Sequence, residues 1–306
     1  MRVCVVGCGA VGSLFAANLA RLDDLEVWAY DLAAEHVGAI NEQGLRLSGV
    51  ADVVGRPRAT TEAGELPPCD FGIVATKSMH TDAAMGAVAP ALAEASVCSV
   101  QNGVGNEETI AGHVARVIRG TTFPAGRIIA PGHVHWDVAG ETTIGPFEPS
   151  PAPLEDVERL ADACTRAGMP TNAVADARGP QWRKLLFNAA TNPVGALTGL
   201  THGQVCERAG LRRLVSALVD EGKAVAAAQG IELDADPEEL IDYAARPDVA
   251  YGHKASMLQD VEARRETEID YLNGGIVRFG QERGVATPLN EAAVALVKGL
   301  EESWRR

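Results

Sequence analysis

No stretch of this 306-residue chain is both long enough and apolar enough to cross a bilayer, so no membrane role is expected. Basic residues are in deficit: 27 Lys and Arg stand against 41 Asp and Glu, a formal charge of -14, and no local basic patch offsets it. Such a surface repels phosphate backbones and anionic headgroups, which argues against nucleic acid as a partner. The six cysteines, Cys4, Cys8, Cys69, Cys98, Cys164 and Cys206, lack any framework spacing, and several lie inside apolar runs. They read as small buried hydrophobes, which suits a reducing cytoplasm. The opening residues lack the basic region, apolar core and cleavage site of a secretory signal, so a cytoplasmic location is expected. The length suits two domains, each with material for its own core.

What is present begins with a glycine loop. Residues 2–6 are a short β-branched run, Gly7-Cys8-Gly9-Ala10-Val11-Gly12 follows, and an amphipathic segment to residue 22 leads to an apolar run at 25–30 that ends on Asp31. Strand, loop, helix and strand in this order and length make a βαβ unit of dinucleotide-binding type. Gly7 permits the tight turn, Gly9 lets backbone approach a pyrophosphate, and Gly12 lets the helix pack close to the strand, with the helix N-terminus facing the anion. A purely structural glycine turn is the bland alternative, and it does not account for the acid at the next strand end. Asp31 can accept hydrogen bonds from an adenosine ribose diol and repels a 2′-phosphate, so NAD is expected over NADP. The same carboxylate can cap the helix expected over residues 33–41.

A small strand pair is expected at residues 44–50 and 51–55, and a buried strand at 71–75 ends in Thr76-Lys77. A helix over 81–89, stopped by Pro90, leads to a strand at 96–100 that runs into Gln101-Asn102-Gly103-Val104-Gly105. Ligands of open α/β sheets bind outside the carboxyl ends of strands, so Lys77 and Asn102 fall where the nicotinamide half of a cofactor is expected. Asn-Gly is also ordinary turn chemistry. Strand-like segments at 126–129, 132–138 and 141–144 carry His133 and His135. With Asp137 the nearest acid and no cysteine close by, these read as solvent-facing residues, and no metal site is expected. A helix (154–167) and a strand (171–174) close a domain over residues 1–175.

From residue 176 to 306 only helices are expected: one opened by Pro180, then 211–228, 237–245, 256–264, 270–282 and 290–304. The first carries Trp182-Arg183-Lys184-Leu185-Leu186-Phe187-Asn188-Ala189-Ala190-Thr191-Asn192. Lys184, Asn188 and Asn192 recur every fourth residue, so they make one narrow polar stripe on an otherwise apolar helix. Such a helix is expected to be buried with its stripe facing a cleft, and a lysine there needs a polar task or a paired charge. A lysine that reaches solvent along its aliphatic stem is the alternative. Ser256-Met257-Leu258-Gln259 is a capping-box pattern, yet a hydroxyl at a helix start can equally bind a carboxylate. Glu268 lies in a charged segment between two helices, where most glutamates are solvated. A cleft between the two domains is the natural ligand site.

On these residues the chain resembles the ketopantoate reductase (2-dehydropantoate 2-reductase) family, essentially end to end. The matching blocks are the glycine loop; Lys77; Gln101 to Gly105; residues 126–145; Trp182 to Asn192; Ser256-Met257-Leu258-Gln259-Asp260; and Thr267-Glu268-Ile269-Asp270-Tyr271-Leu272-Asn273-Gly274. The last three together are far more specific than the glycine loop. The resemblance implies a Rossmann-type α/β domain joined to an all-α domain like the C-terminal domain of 6-phosphogluconate dehydrogenase. It implies nicotinamide-dependent reduction of a small-molecule 2-oxo acid, 2-dehydropantoate to pantoate in the first place. It further implies Lys184 as donor of the proton to the reduced carbonyl and Glu268 as the acid that orients substrate and lysine. Ser256 and Asn192 become substrate contacts, Asn188 lines the same pocket, and Asn102 lies where nicotinamide and substrate meet.

Asp31 departs from the family, which in general uses NADPH and often shows a basic or neutral residue there. Some members of the wider family are NAD-dependent D-2-hydroxyacid dehydrogenases, acting for example on mandelate-like acids. Hydride transfer to a keto carbon builds charge on its oxygen, which an ammonium can both stabilise and protonate, and Lys184 is the stripe residue able to do this. Burial lowers its pKa and Glu268 holds it up, and the sequence leaves that balance open. A nucleotide-sensing protein without turnover is the reading from another class, although a sensor has no need of a proton donor. The sequence leaves room for a homodimer without specifying one, and the apolar residues that shape the substrate tail pocket are scattered.

Overall fold

Val3 and Val5 point into one core and Cys4 and Val6 into another, so the first strand, β1 (Arg2–Val6), is apolar on both faces. A strand covered on both sides of a parallel sheet has this pattern. The computed structural model describes residues 1–304. The chain divides into two units, Met1–Gln101 with Asn106–Ala177, and Asn102–Gly105 with the chain from Arg178 on.

In the first unit β1 is followed by α1 (Ala10–Leu19), β2 (Glu26–Tyr30), α2 (Ala34–Gln43), β3 (Leu45–Gly49), β4 (Val53–Gly55), β5 (Arg58–Thr60) and β6 (Phe71–Val74). Then come α3 (Thr81–Leu92), β7 (Ser96–Ser99), α4 (Asn106–Ala111), β8 (Arg116–Thr122), β9 (Ala125–Ala130), β10 (His133–Val138), β11 (Thr142–Pro146), α5 (Leu154–Arg166) and β12 (Thr171–Ala173). The main sheet has the order β12-β11-β8-β7-β6-β1-β2-β5, parallel from β8 to β5, with β11 antiparallel to β8. Its order reverses at β1, which lies between β2 and β6. Open parallel sheets form their ligand crevice outside the strand ends at such a reversal, and here β1 runs straight into the glycine loop. A second sheet, β4-β3-β10-β9, packs on α1.

Three of these elements escape a reading of pattern alone. β5 is three residues long, α4 is a six-residue helix, and β8 has only Val117 and Ile118 as apolar residues, between Arg116 and Arg119. Pro90 does not stop α3, which continues to Leu92. The carbonyl left without a donor belongs to exposed Gly86, where water can serve it. His133 and His135 are half-buried and share the Ser48 hydroxyl, at 2.9 and 3.2 Å, so they face solvent only in part.

The second unit is helical: α6 (Arg178–Thr198), α7 (His202–Cys206), α8 (Ala209–Ala228), α9 (Pro237–Ala244), α10 (Ser256–Glu262), α11 (Asn273–Arg283) and α12 (Pro288–Ser303). α6 is its axis. Trp182, Leu185, Leu186, Ala189 and Ala196 enter one core, while Ala190 and Val194 enter another. Pro180 sits in the first turn of α6, where a missing N–H costs little. Pro193 lies in the middle and deprives the Ala189 carbonyl of its helical donor. Asn273 replaces that donor: its Nδ2 donates to the Ala189 oxygen at 2.8 Å and to Asn290 Oδ1 at 2.9 Å. The first core also takes in Val104, which comes from the tetrapeptide that follows β7. Among the described residues no helix is long and apolar enough to cross a membrane.

Candidate functional site

In the first unit the chain leaves β1 and turns at Gly7, whose N–H donates to the Tyr30 carbonyl at 2.8 Å and ties the loop to the end of β2. α1 starts at Ala10 with Gly9 before it and no side-chain cap, so the amides of its first turn remain available. A Cβ on Gly12 would collide with the Gly7 carbonyl oxygen, so close packing of helix on loop admits only glycine there. A Cβ on Gly9 would meet nothing within 4 Å. Cys8, Ala10 and Val11 complete a loop with one open side beside unpaired helix amides, which is the arrangement that takes up a phosphate.

Asp31 stands one residue past β2. One carboxylate oxygen accepts the Cys8 N–H at 2.7 Å and the other the Ala33 N–H at 2.8 Å. The carboxylate therefore braces the glycine loop and the turn before α2 together, and each oxygen keeps a lone pair for a diol. Lys77 is half-buried beyond the carboxyl end of β6. Gln101 carries a task the sequence did not disclose: its Nε2 donates to the Thr76 carbonyl at 3.0 Å and to Thr81 Oγ1 at 2.7 Å, joining the ends of β6 and β7. Its place at the head of the Gln-Asn-Gly motif was the available signal. Open loop, free amides and an acid at the second strand end fit the pyrophosphate and ribose of a dinucleotide.

The second unit holds the other cluster. Lys184 Nζ, on α6, donates to Asn102 Oδ1 at 2.9 Å, and Asn102 Nδ2 lies 3.5 Å from Glu268 Oε2, at the outer limit of a hydrogen bond. Glu268 is 6% exposed, so it is not the solvated glutamate that its charged sequence context suggests. Burial pushes the Lys184 ammonium down to about 8, against the opposing pull of the Glu268 carboxylate. Desolvation is thus the larger of the two influences that the sequence left in balance.

Backbone geometry holds these groups in place. Gly103 has φ +82, and a Cβ there would strike the Tyr271 carbonyl oxygen, which accepts the Val104 N–H at 3.0 Å. Asn102 is thereby fixed against the segment that carries Glu268. That segment is held in turn by Thr267, whose N–H and hydroxyl both donate to Glu301 Oε1 on α12, at 2.9 and 2.7 Å.

Asn188 and Asn192 follow Lys184 along α6 and are 8% and 4% exposed. Neither side-chain amide hydrogen-bonds to another described residue, and neither has a polar atom wholly enclosed. Two amides so placed are open to a ligand. Ser256 is the first residue of α10, and its capping box does not form: Ala255 precedes the helix and the Gln259 N–H bonds the Ala255 carbonyl at 3.1 Å. The exposed Ser256 hydroxyl is left uncommitted, and α10 packs on α6. The structure joins Lys184, Asn102 and Glu268 by direct contact, aligns Asn188 and Asn192 with them on α6, and places Ser256 on the helix alongside.

Comparison with known proteins follows the same division. The profile described as ketopantoate reductase PanE/ApbA matches residues 3–149, and that of ketopantoate reductase PanE/ApbA C terminal matches residues 176–301. The 2-dehydropantoate 2-reductase of Pyrococcus abyssi is 33% identical over 302 residues, covering 98% of each chain. The crystal structure of a PanE/ApbA family ketopantoate reductase from Ralstonia eutropha is similar with a TM-score of 0.89 and 32% identity over 100% of both chains. D-mandelate dehydrogenase, solved with NADH and anilino(oxo)acetate, is similar with a TM-score of 0.90 and 26% identity, again over 100% of both.

Proposed function

This chain belongs to the ketopantoate reductase family, and from that premise we propose that it catalyses the nicotinamide-dependent reduction of a 2-oxo acid to a 2-hydroxy acid, with 2-dehydropantoate the first substrate to test. Support comes above all from one observation: Lys184 Nζ is held on the Asn102 amide beside the buried Glu268 carboxylate, where burial draws its pKa down to about 8. Such a group is charged near neutrality and gives up its proton readily. The nicotinamide, when bound, supplies the hydride.

Lys184 Nζ stabilises the charge that grows on the substrate carbonyl oxygen and then protonates it. Glu268 opposes the desolvation of Lys184 and so keeps a usable fraction of it protonated. Asn102 holds the ammonium through Oδ1 and serves cofactor and substrate. Asn188, Asn192 and Ser256, whose polar groups are uncommitted, take the carboxylate and keto oxygens of the acid. Gly7, Cys8, Gly9, Ala10, Val11 and Gly12 hold the pyrophosphate, with Lys77 as a further cofactor contact. Residues 1–175 act as the dinucleotide-binding domain and 176–306 as the helical substrate domain. A cytoplasmic enzyme, with or without dimerisation, suits the six free cysteines.

Asp31 supports NAD over NADP, because a 2′-phosphate would approach a carboxylate already engaged with the glycine loop. It also supports a second reading, an NAD-dependent D-2-hydroxyacid dehydrogenase with another substrate, in line with the NADH complex of D-mandelate dehydrogenase. A panel of 2-oxo acids, assayed with NADH and NADPH side by side by nicotinamide absorbance, tests both. Highest kcat/KM on 2-dehydropantoate supports the first, and highest kcat/KM on an aryl 2-oxo acid the second. Tight nucleotide binding with no turnover of any 2-oxo acid overturns both, and a clear NADPH preference overturns the role given to Asp31.

A further inference from the structure

Two buried polar side chains behind the glycine loop have no part in the chemistry above. Ser13 on α1 is 0% exposed and His36 on α2 is 5% exposed. His36 Nδ1 accepts the N–H of Gly132, in the turn between β9 and β10, at 3.1 Å. A backbone N–H can only donate, so Nδ1 carries no proton and the neutral ring bears its hydrogen on Nε2. Nε2 lies 3.4 Å from Ser13 Oγ, and Ser13 Oγ donates its own hydrogen to the Cys8 carbonyl at 2.8 Å. The direction of every bond is thus set from Gly132 inward to the loop.

The Cys8 carbonyl and the Gly9 N–H belong to one planar trans peptide and point in opposite directions. A hydroxyl that holds the carbonyl inward therefore turns the Gly9 N–H outward. That N–H donates to no described group, and the space where a Gly9 side chain would stand is empty to 4 Å. The preceding peptide is held too, since the Cys8 N–H is on Asp31.

We propose that Ser13 and His36 are positioning residues for the dinucleotide: anchored on the Gly132 amide, the imidazole orients the Ser13 hydroxyl, which fixes the Cys8–Gly9 peptide with its N–H toward the pyrophosphate. This rests on the dinucleotide reading of the loop. It adds a pH dependence, because a protonated His36 loses the acceptor for Gly132. Burial pushes the His36 pKa below its ordinary value, with Asp31 and the Cys8 carbonyl pulling it back. Asp31 at the end of β2 is the charged group acting on the ring; α1 brings Ser13 and the β9–β10 turn brings Gly132, and neither ionises in this range. Affinity is therefore lost as pH falls below the ordinary histidine range.

Equilibrium titration of the full chain with NADH, read by fluorescence without substrate, tests the relay. Ser13→Ala and His36→Leu are each expected to weaken NADH binding by about 3- to 10-fold, the span of one neutral hydrogen bond. The double variant should be no weaker than either single, because both break one chain of bonds. His36→Gln, which keeps an acceptor and a donor, should recover affinity to within about 2-fold of wild type and lose the acid-side pH dependence. If His36→Leu does not fold, the relay is tested by the loss of affinity in Ser13→Ala and by retained affinity with loss of the acid-side pH dependence in His36→Gln, and a pH dependence that persists in His36→Gln overturns it. Unchanged affinity in Ser13→Ala, or losses that multiply in the double variant, overturns the relay alone. A wild-type chain that binds neither NADH nor NADPH overturns the dinucleotide reading and the relay with it.

Discussion

Lys184 must be charged enough to donate and poorly enough solvated to let go. Burial draws its pKa to about 8 while Glu268 limits the fall. Lys184→Ala is expected to lower kcat by about 10²- to 10⁴-fold with the NADH dissociation constant nearly intact, measured by steady-state kinetics beside direct titration. An unchanged kcat removes the lysine from the mechanism. The pH profile follows with a definite sign. Reduction needs the ammonium, so its kcat should fall as pH rises through about 8, and oxidation of the 2-hydroxy acid, which needs the free amine, should rise over the same range. Glu268→Gln removes the carboxylate that favours the charged form, so both inflections should move to lower pH. A profile that stays in place shows that Glu268 acts by contact alone. The stripe of Lys184, Asn188 and Asn192 was legible because helical spacing is a local property. The Lys184 pKa was not, since it depends on burial in the fold and on Glu268, remote in sequence from the helix.

The helix that carries the stripe contains a proline and still runs unbroken from Arg178 to Thr198. It does so because Asn273 supplies the hydrogen bond that Pro193 cannot. Asn273→Ala should destabilise the protein by about 1–3 kcal/mol, the cost of an orphaned buried carbonyl. Urea denaturation measures the loss, and an undiminished midpoint means that water replaces the amide. Proline marked the starts of α6 and α9 but not where helices stop: Pro193 is compensated by a distant side chain, and Pro90 faces water. β1 and β2 were readable because their apolar runs are bounded by the glycine loop and Asp31. β8 was not, because Arg116 and Arg119 break its pattern, and Arg119 lies over the Phe147 ring at 5.0 Å, a contact invisible before folding.

On the scale of the whole molecule, the sequence shows one composition shift near residue 175, whereas four residues from far upstream are built into the helical unit. Composition cannot reveal such an exchange, because Asn102 to Gly105 look like any turn after a strand. Their anchor is Val104, which packs in the core with Trp182, Leu186 and Ile276. Val104→Ala should cost the helical unit about 1–2 kcal/mol. Hydrogen exchange locates the loss: amides of α6 and α11 should exchange faster while those of β1 and β6 keep their protection. Equal change in both units means that the tetrapeptide is not specific to the second.

The same four residues bear on recombination. A hybrid of two family members joined near residue 177 looks like a clean exchange of halves, yet it brings the second unit a foreign Asn102 and a foreign Val104. The mismatch falls on the hydrogen bond to Lys184 and on the contact of Val104 with Gly275. Functional hybrids should therefore be recovered when residues 102–105 travel with the C-terminal parent, and lost when they follow the N-terminal one.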